Sequence, residues 1–333
     1  MRFNMFKTLI VPVLIAVTLM ISSCSSNNNQ PGTGGPLFIG GVEGLTFQFV
    51  EGMPPSEIFD AGQFPFHVSL QIANEGEHDY AANTGYVRIK GFSPLQLGLG
   101  SVEDMKKLID RDLHGKKRIG DEVFPGDTMQ LSFENLVYTP DIPSGTQTIT
   151  FYIESCYKYG NKAFATLCLR GNNFQPGVQE VCQVTGSKAV DNSAGPVQVV
   201  SLTESPIGQS DVQITLKIKN VGKGVVFSKD FPLQEQNCED IPGNMLEKNK
   251  VYVALSLDGG EEIECPQLDQ GSEGFIRLLP AQGGDEGSLY CVIHAPEGEG
   301  TFKEFLKINM TYAYKQEISK DVTVRDISGY NNN

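Results

Sequence analysis

The sequence lacks tryptophan and has only four histidines among 333 residues. It also lacks the Gly-x-Ser-x-Gly and His-Glu-x-x-His patterns of hydrolases and zinc proteases, and no two of its seven cysteines are spaced as C-x-x-C. These absences argue against nucleophilic catalysis, zinc binding and dithiol redox chemistry. We therefore expect a protein that is not an enzyme and that carries no cofactor or metal. Only a glycosidase-type carboxylate pair stays open, because 40 acidic residues guarantee some close pairs.

Basic residues are also scarce. Lys and Arg number 26 against 40 Asp and Glu, which gives a formal net charge of −14. An acidic surface repels phosphate backbones, so nucleic acid is not an expected partner.

No apolar segment at the N-terminus is long enough to cross a bilayer. Residues 8–21 form an apolar stretch after the basic Arg2 and Lys7, whereas a spanning helix needs about 20 residues. A basic start followed by a short apolar core is typical of a signal peptide. The next residues, Ile-Ser-Ser-Cys24, resemble the lipobox of prokaryotic lipoproteins. That resemblance implies cleavage after residue 23, a lipid on Cys24, and a membrane contact through that lipid at the cell envelope. The alternative is an ordinary signal peptide in which Cys24 is incidental.

What the chain has in quantity is glycine (36) and proline (18), which interrupt it too often for long amphipathic helices and favour β structure. Residues 24–43 are polar and Gly-rich, as flexible linkers are.

Beyond the linker one sequence pattern occurs twice, 146 residues apart. Three branched apolar residues alternate with other residues and are followed by Asn and Gly: Val68, Leu70, Ile72, Asn74 and Gly76, and again Ile214, Leu216, Ile218, Asn220 and Gly222. Period-two alternation predicts a half-buried strand, and we expect Asn and Gly to supply the positive φ of a sharp exit.

Further strand patterns follow in the same order in both copies. Each copy ends in a predicted hairpin, residues 148–169 with a turn at Gly160-Asn161 and residues 305–324. We therefore predict an all-β protein of two tandem immunoglobulin-like β-sandwich domains, residues 44–190 and 196–327. Residues 101–114 are the exception, because their apolar residues near helical spacing predict one short helix.

Six cysteines remain besides Cys24, and an even number in an exported chain predicts disulfides. We favour Cys168 with Cys182 and Cys265 with Cys291. Cys156 and Cys238 are then left as a clamp between the two domains. Other connectivities stay open.

The branched apolar alternation ending in Asn-x-Gly, followed by the turn Pro125-Gly126-Asp127, resembles the immunoglobulin-like adhesion-related (CARDB-type) modules of prokaryotic surface proteins. The resemblance covers residues 44–190 and 196–327 and implies a sandwich fold. It supplies no catalytic residues, since such modules serve as spacers, adhesion units and enzyme accessories. The second copy has Pro280-Ala281 where the family has Pro-Gly.

Several short stretches are candidate sites. Gly222-Lys223-Gly224 is too glycine-poor for a phosphate loop and is interpreted as a strand exit. Glu75–Asp79 and Asp258–Glu262 gather carboxylates on turns, which we interpret as solvated turns rather than metal sites. Asn309 begins a glycosylation sequon. The two Tyr-x-Tyr pairs, Tyr157 with Tyr159 and Tyr312 with Tyr314, are interpreted as core residues, with a sugar-stacking platform as the alternative.

Together these features predict a non-catalytic, lipid-anchored envelope protein that acts as a surface spacer, adhesin or scaffold and contacts an envelope protein or polysaccharide. The alternative is a carbohydrate-binding or accessory module of an extracellular enzyme or filament system. Burial of the four tyrosines would remove the stacking platform on which that alternative depends.

Overall fold

A computed structural model describes residues 37–327 apart from 175–180, 234, 240, 297 and 299. The predicted signal peptide, Cys24 and the linker up to residue 36 lie outside the described residues. The described chain is all-β, which confirms the predicted fold class: strands alternate with turns, and the only helical segments are three short 3₁₀ turns. No helix in the described part of the chain is long and apolar enough to span a membrane.

The strands of the first half, in chain order, are β1 (Leu45–Phe49), β2 (Glu57–Phe59), β3 (Phe66–Asn74), β4 (Gly85–Lys90), β5 (Lys106–Leu108), β6 (Lys117–Ile119), β7 (Glu122–Phe124), β8 (Thr128–Leu136) and β9 (Thr146–Arg170). Those of the second half are β10 (Gly186–Ser187), β11 (Val190–Asn192), β12 (Val197–Ile207), β13 (Asp211–Asn220), β14 (Val225–Ser228), β15 (Lys250–Leu257), β16 (Ile263–Glu264), β17 (Glu273–Arg277), β18 (Glu286–His294) and β19 (Thr301–Arg325). The 3₁₀ turns are Pro94–Leu97, Glu103–Met105 and Pro242–Asn244.

Two smaller sheets cover one long sheet. The long sheet has the order β17-β15-β19-β9-β4-β5, with β2, β11 and β14 added beside its two longest strands. A three-stranded sheet (β1-β3-β8) and a five-stranded sheet (β10-β12-β13-β18-β16) pack on it, and β6 and β7 pair as a separate hairpin. Phe66 of β3 meets Phe151 of β9 with ring centroids 5.9 Å apart, and the apolar faces of all three sheets share one continuous core.

Strands β9 and β19 each run through both halves of the molecule. They pair antiparallel over all 25 residues, from Thr146 opposite Arg325 to Arg170 opposite Thr301. We call the half built on residues 146–157 and 314–325 sandwich 1, and the half built on residues 160–170 and 301–311 sandwich 2. Each sandwich thus takes one central strand segment from each copy of the repeat, so the copies exchange their last strand reciprocally. The described residues accordingly belong to one compact unit.

The predicted hairpins are therefore wrong. Gly160-Asn161 makes no turn: Gly160 lies opposite Thr311 and Asn161 opposite Met310 in the middle of a continuous ladder. Gly160 also does not have the positive φ that a Gly-first hairpin turn requires. The partner strand β19 supplies the backbone hydrogen bonds that the two halves of residues 148–169 would have made with each other in a hairpin. Both halves therefore stay extended as one strand.

The predicted helix over 101–114 is also wrong. The segment makes one 3₁₀ turn and then adds β5 to the edge of the long sheet, where Leu108 pairs with Tyr86. Met105, Ile109 and Leu113 are buried, whereas Leu108 is 41% exposed. Spacings of four residues fit an extended chain with one buried face as well as a helix, and Asp104 accepts hydrogen bonds from Ser101 at both its N–H (2.8 Å) and its hydroxyl (2.9 Å) without starting a helix.

The six described cysteines are paired as the sequence favours: Cys156–Cys238, Cys168–Cys182 and Cys265–Cys291. The first bond joins the two predicted domains, because Cys156 lies in residues 44–190 and Cys238 in residues 196–327. It holds the segment between β14 and β15 on the outer face of the long sheet, where a second small core forms. The members of that core are Tyr86, Cys156, Phe227, Phe231, Leu233, Cys238 and Ala313.

Candidate functional site at the waist

The four tyrosines of the Tyr-x-Tyr pairs meet where the sandwiches join, a region we call the waist. Tyr157 lies opposite Tyr314 and Tyr159 opposite Tyr312 across the two long strands. All four side chains are at most 2% exposed. Burial raises the pKa of Tyr157 and of Tyr312 well above the ordinary value. These tyrosines are core residues, as the sequence indicates, and the stacking platform proposed as the alternative cannot be built from them.

Tyrosine hydroxyls hold the two repeated strand exits. Tyr159 Oη donates to Asn74 Oδ1 at 2.8 Å, and Tyr314 Oη donates to Asn220 Oδ1 at 3.3 Å. Each Asn then bonds its own exit loop, since the Nδ2 of Asn74 donates to His78 O at 2.8 Å and the Nδ2 of Asn220 donates to Gly224 O at 2.8 Å. The two waist networks are therefore counterparts under an approximate two-fold relation.

The glycine in each of the two repeated strand exits is needed for close packing against a tyrosine. The expectation that it supplies a positive φ is wrong. Neither Gly76 nor Gly222 has a positive φ. A Cβ on Gly76 would lie 2.1 Å from Tyr159 Oη, and one on Gly222 would lie 2.2 Å from Tyr314 Oη. Only a residue without a side chain leaves room for the tyrosine hydroxyl that the exit must bind.

A cleft of about 530 Å³ opens at the waist beside the first exit. The cleft, called cleft 1 below, is lined by His78, Lys116, Lys117, Arg118 and Lys162, with Leu37 and Phe38 at one side. The β6–β7 hairpin supplies Lys117 and Arg118, and β9 supplies Lys162. Four cations thus meet around one cavity in a strongly acidic chain.

The carboxylates near cleft 1 are engaged within the fold. Glu77 accepts three backbone N–H bonds, from Ile39 and Gly40 at 3.0 Å each and from Ala194 at 2.7 Å. Asp79 accepts one from Gly115 at 2.8 Å, and Glu75 is ion-paired with Lys116. The three carboxylates of residues 75–79 thus all make contacts within the fold.

His78 forms part of the cleft wall. Its ring lies edge-on to Tyr159, with centroids 5.1 Å apart, and a Cβ at Gly160 would lie 2.9 Å from its Cε1. The glycine in the middle of β9 therefore makes room for the imidazole. Burial lowers the pKa of His78 and outweighs the opposing effect of Asp79, and nearby Lys162 acts in the same direction as burial. The ring is consequently neutral at pH 7.

The second exit has its own cleft of about 510 Å³, called cleft 2, lined by Glu43, Gly222, Lys223, Gly224 and Glu317 among others. Its glycine amides are already bonded: Gly222 N donates to Asn220 Oδ1 at 3.2 Å and Gly224 N to Tyr314 Oη at 2.7 Å. Strand β13 ends at Asn220. The interpretation of this stretch as a strand exit is confirmed, and its amides do not converge on a phosphate.

Among the described residues, one group of carboxylates is close enough to share a metal ion: Asp60, Asp141 and Asp326, whose ligand atoms lie within 4.8 Å of one another. Asp60 is buried and uses both oxygens within the fold, accepting from Ile142 N at 3.1 Å and from Ile327 N at 3.0 Å. Asp258 of the second acidic turn is ion-paired with Lys307.

Asn309 lies in the middle of β19, opposite Lys162 on one side and Ala254 on the other, with its side chain exposed on the outer face. Its glycosylation stays a prediction. Lys116, Lys117, Arg118 and Lys162 are not among the candidate residues that the sequence predicts. Three consecutive cations in so acidic a chain were a local signal, but the contribution of Lys162 depends on the strand exchange.

No family model matches the chain, and no curated protein matches it.

Proposed function

We propose that the protein is a non-catalytic, lipid-anchored protein of the cell envelope that works as a rigid scaffold or adhesin. The observation that carries the proposal is the reciprocal exchange of β9 and β19, whose 25 paired residues run without a break through both sandwiches. A strand of 25 residues is about 80 Å long. A spacer needs this kind of stiffness, and a flexible pair of modules would not provide it.

Three disulfides support an exported location, since such bonds persist outside the reducing cytosol. The first described residues reach the body at the waist, where Leu37 N donates to Asp191 Oδ2 at 2.7 Å. The 13 residues from Cys24 to Leu37 can span at most about 45 Å. An acyl chain on Cys24 would therefore keep Leu37 within about 45 Å of the membrane.

The anchoring is tested with Cys24→Ser in cells of the source organism. We expect the wild-type chain in the membrane fraction and labelled by a radioactive fatty acid, and the variant unlabelled and soluble. Equal membrane association and equal labelling of the two chains would contradict it. The scaffold function is tested by cross-linking on intact envelopes, and repeated recovery of no protein or polysaccharide partner would contradict that part.

Carbohydrate binding is a second candidate function, supported by aromatic residues other than the predicted tyrosines. Phe164 and Phe305 stack on the outer face of sandwich 2 with ring centroids 5.4 Å apart and an interplanar angle of 28°, and Phe305 is 42% exposed. Exposed stacked rings offer a flat apolar surface of the kind that sugar rings pack against. Loss of glycan binding in Phe305→Ser, with binding retained in Leu279→Ser on another exposed segment, would support this candidate.

A further inference from the structure

We infer that an exposed turn before β15 inserts into the phospholipid surface to which the chain is anchored. Four large apolar side chains form this surface, which we call the apolar tip: Ile241, Met245, Leu246 and Leu279. The inference deepens the proposed envelope function by naming a lipid bilayer as the partner of the tip, and it rests on that function for the anchor at Cys24.

The apolar tip is unusually exposed for its composition. Leu246 is 72% exposed, Leu279 61%, Met245 51% and Ile241 48%. Single exposed apolar residues are ordinary on a protein surface, whereas a group of them marks a contact with another protein or with a membrane. The tip is therefore a candidate contact surface.

Hydrogen bonds bring the two segments of the apolar tip together. The guanidinium of Arg277 donates to Leu246 O at 2.7 Å, and Leu278 N donates to Asn249 O at 2.8 Å. Both bonds lie at the end of the ladder that β15 forms with β17. Leu246 and Leu279 thus flank the same end of that ladder.

The turn is held in one shape from inside. Asn244 is buried among the exposed residues, and its Nδ2 donates to Asn237 O and to Glu239 O at 3.0 Å each. Asn244 O accepts from Glu247 N at 3.0 Å, and the disulfide of Cys238 fixes the neighbouring chain on the long sheet. The tip is therefore presented in a fixed conformation, and its contact with a membrane does not have to offset the ordering of a loop.

The geometry of the long sheet places the apolar tip within reach of the anchor. Leu37 is bonded to Asp191 of β11, and the tip lies beside β15 and β17, on the other side of β9 and β19. Strand pairing carries Asp191 across to Ser256 of β15, six residues from the start of that strand at Lys250. About four strand spacings and six residues along the strands separate Leu37 from the tip by about 30 Å. Since the tether from Cys24 can span about 45 Å, the tip can rest on the membrane without full extension of the tether.

A phospholipid surface also fits the charges better than a second copy of the chain does. The chain has a net charge of −14, so two copies repel each other, whereas a zwitterionic bilayer does not repel either. Arg277 donates to the uncharged carbonyl oxygens of Leu246 and Lys248, and its guanidinium keeps the positive charge that suits lipid phosphate. Because the tether raises the local concentration of the tip at the membrane, a few apolar side chains are enough for contact.

The test measures insertion of the tip on vesicles. The purified, disulfide-bonded chain that begins at Cys24 is coupled through the Cys24 thiol to a maleimide lipid in phosphatidylcholine vesicles. The other six cysteines are in disulfides and do not react. The chain has no tryptophan, so Leu246→Trp reports on the tip alone. We expect its emission to shift to the blue by about 10 nm on coupling, and to be quenched by lipids brominated in their acyl chains.

The matched control is Leu95→Trp, at a position of sandwich 1 that is 74% exposed. Its emission should be neither shifted nor quenched. Adding Met245→Ser and Leu279→Ser to the Leu246→Trp chain should at least halve the quenching, because two of the side chains that hold the tip in the bilayer are then polar. Thermal unfolding equal to that of the parent chain shows that each variant is folded.

Four results would overturn the inference. They are an unshifted and unquenched Leu246→Trp chain, equal quenching of Leu95→Trp, quenching undiminished by the two serines, and a blue shift that grows with protein concentration without vesicles, which would make a second copy the partner. The maleimide lipid replaces any acyl chain, so the result does not depend on acylation of Cys24 in cells. Failure here would leave the membrane fractionation result standing, and a wild-type chain found without fatty acid would leave the quenching unchanged.

Discussion

Replacing Gly76 with Ala tests how the waist is packed. The added Cβ would lie 2.1 Å from Tyr159 Oη, 2.9 Å from Glu43 O and 3.0 Å from Ala194 O. Two of these neighbours are backbone atoms, so the tyrosine must move and give up its hydrogen bond to Asn74. Overpacking costs about 1–3 kcal/mol and the lost hydrogen bond about 1 kcal/mol. We therefore expect the free energy of unfolding to fall by about 2–4 kcal/mol.

The measurement is guanidinium denaturation with the disulfides intact, compared with Gly243→Ala. Gly243 has no heavy atom within 4 Å of an added Cβ and no positive φ, so its replacement should change stability by less than about 0.5 kcal/mol. A double-mutant cycle isolates the cause, because Tyr159→Phe removes the clashing oxygen. We expect a coupling of about 1–2 kcal/mol between the two sites. A cost for Gly76→Ala as small as the control, or no coupling, would refute this account of the Asn-x-Gly exit.

Three further predictions follow from the exchange, the disulfides and the buried histidine. Residues 44–190 expressed alone should stay unfolded, because sandwich 1 lacks the segment 314–325 between β9 and β2; a dispersed NMR spectrum of that fragment would contradict this. Replacing both cysteines of the Cys156–Cys238 bond, which closes 82 residues, should cost about 4.5 kcal/mol in the free energy of unfolding, against about 3 kcal/mol for the Cys168–Cys182 bond, which closes 14. Similar midpoints of the two double variants in urea would argue against it. Burial lowers the pKa of His78, so below pH 6.5 the unfolded chain takes up a proton more readily than the folded one. Stability should be full above pH 6.5 and fall as the pH drops, and His78→Gln should flatten that fall in thermal unfolding; parallel profiles would count against the assignment.

Local patterns in the sequence were enough to predict most strands. Alternation such as Val68, Leu70 and Ile72 fixes which face of a strand is buried, and the structure has β3 and β13 where the repeat predicts them. The burial of the tyrosines and two of the disulfides could also be predicted from the sequence, because they depend on which residues share a face or lie a short distance apart. The pair Cys156–Cys238, 82 residues apart, followed only as the pair that remained.

What the sequence could not reveal are the long-range pairings. Gly160-Asn161 has the residues of a tight turn, but the same residues are compatible with an extended strand when a 25-residue partner is available. The glycine is instead required by His78, which is distant in sequence. Lys162 joins the three consecutive cations of cleft 1 through the same exchange, so no local motif places it there.

The shared strands also determine the order in which the molecule can be completed. A chain that crosses a membrane with its N-terminus leading delivers β2, β4 and the first part of β9 early. The strand that lies between β2 and β9 is the second part of β19, near the end of the chain. The sheet edge of sandwich 1 therefore stays unpaired until residues 314–325 have emerged. Unpaired edges invite pairing with other chains. The half of the molecule that begins first is thus finished last, and we expect it to be the part that needs protection during the proposed export.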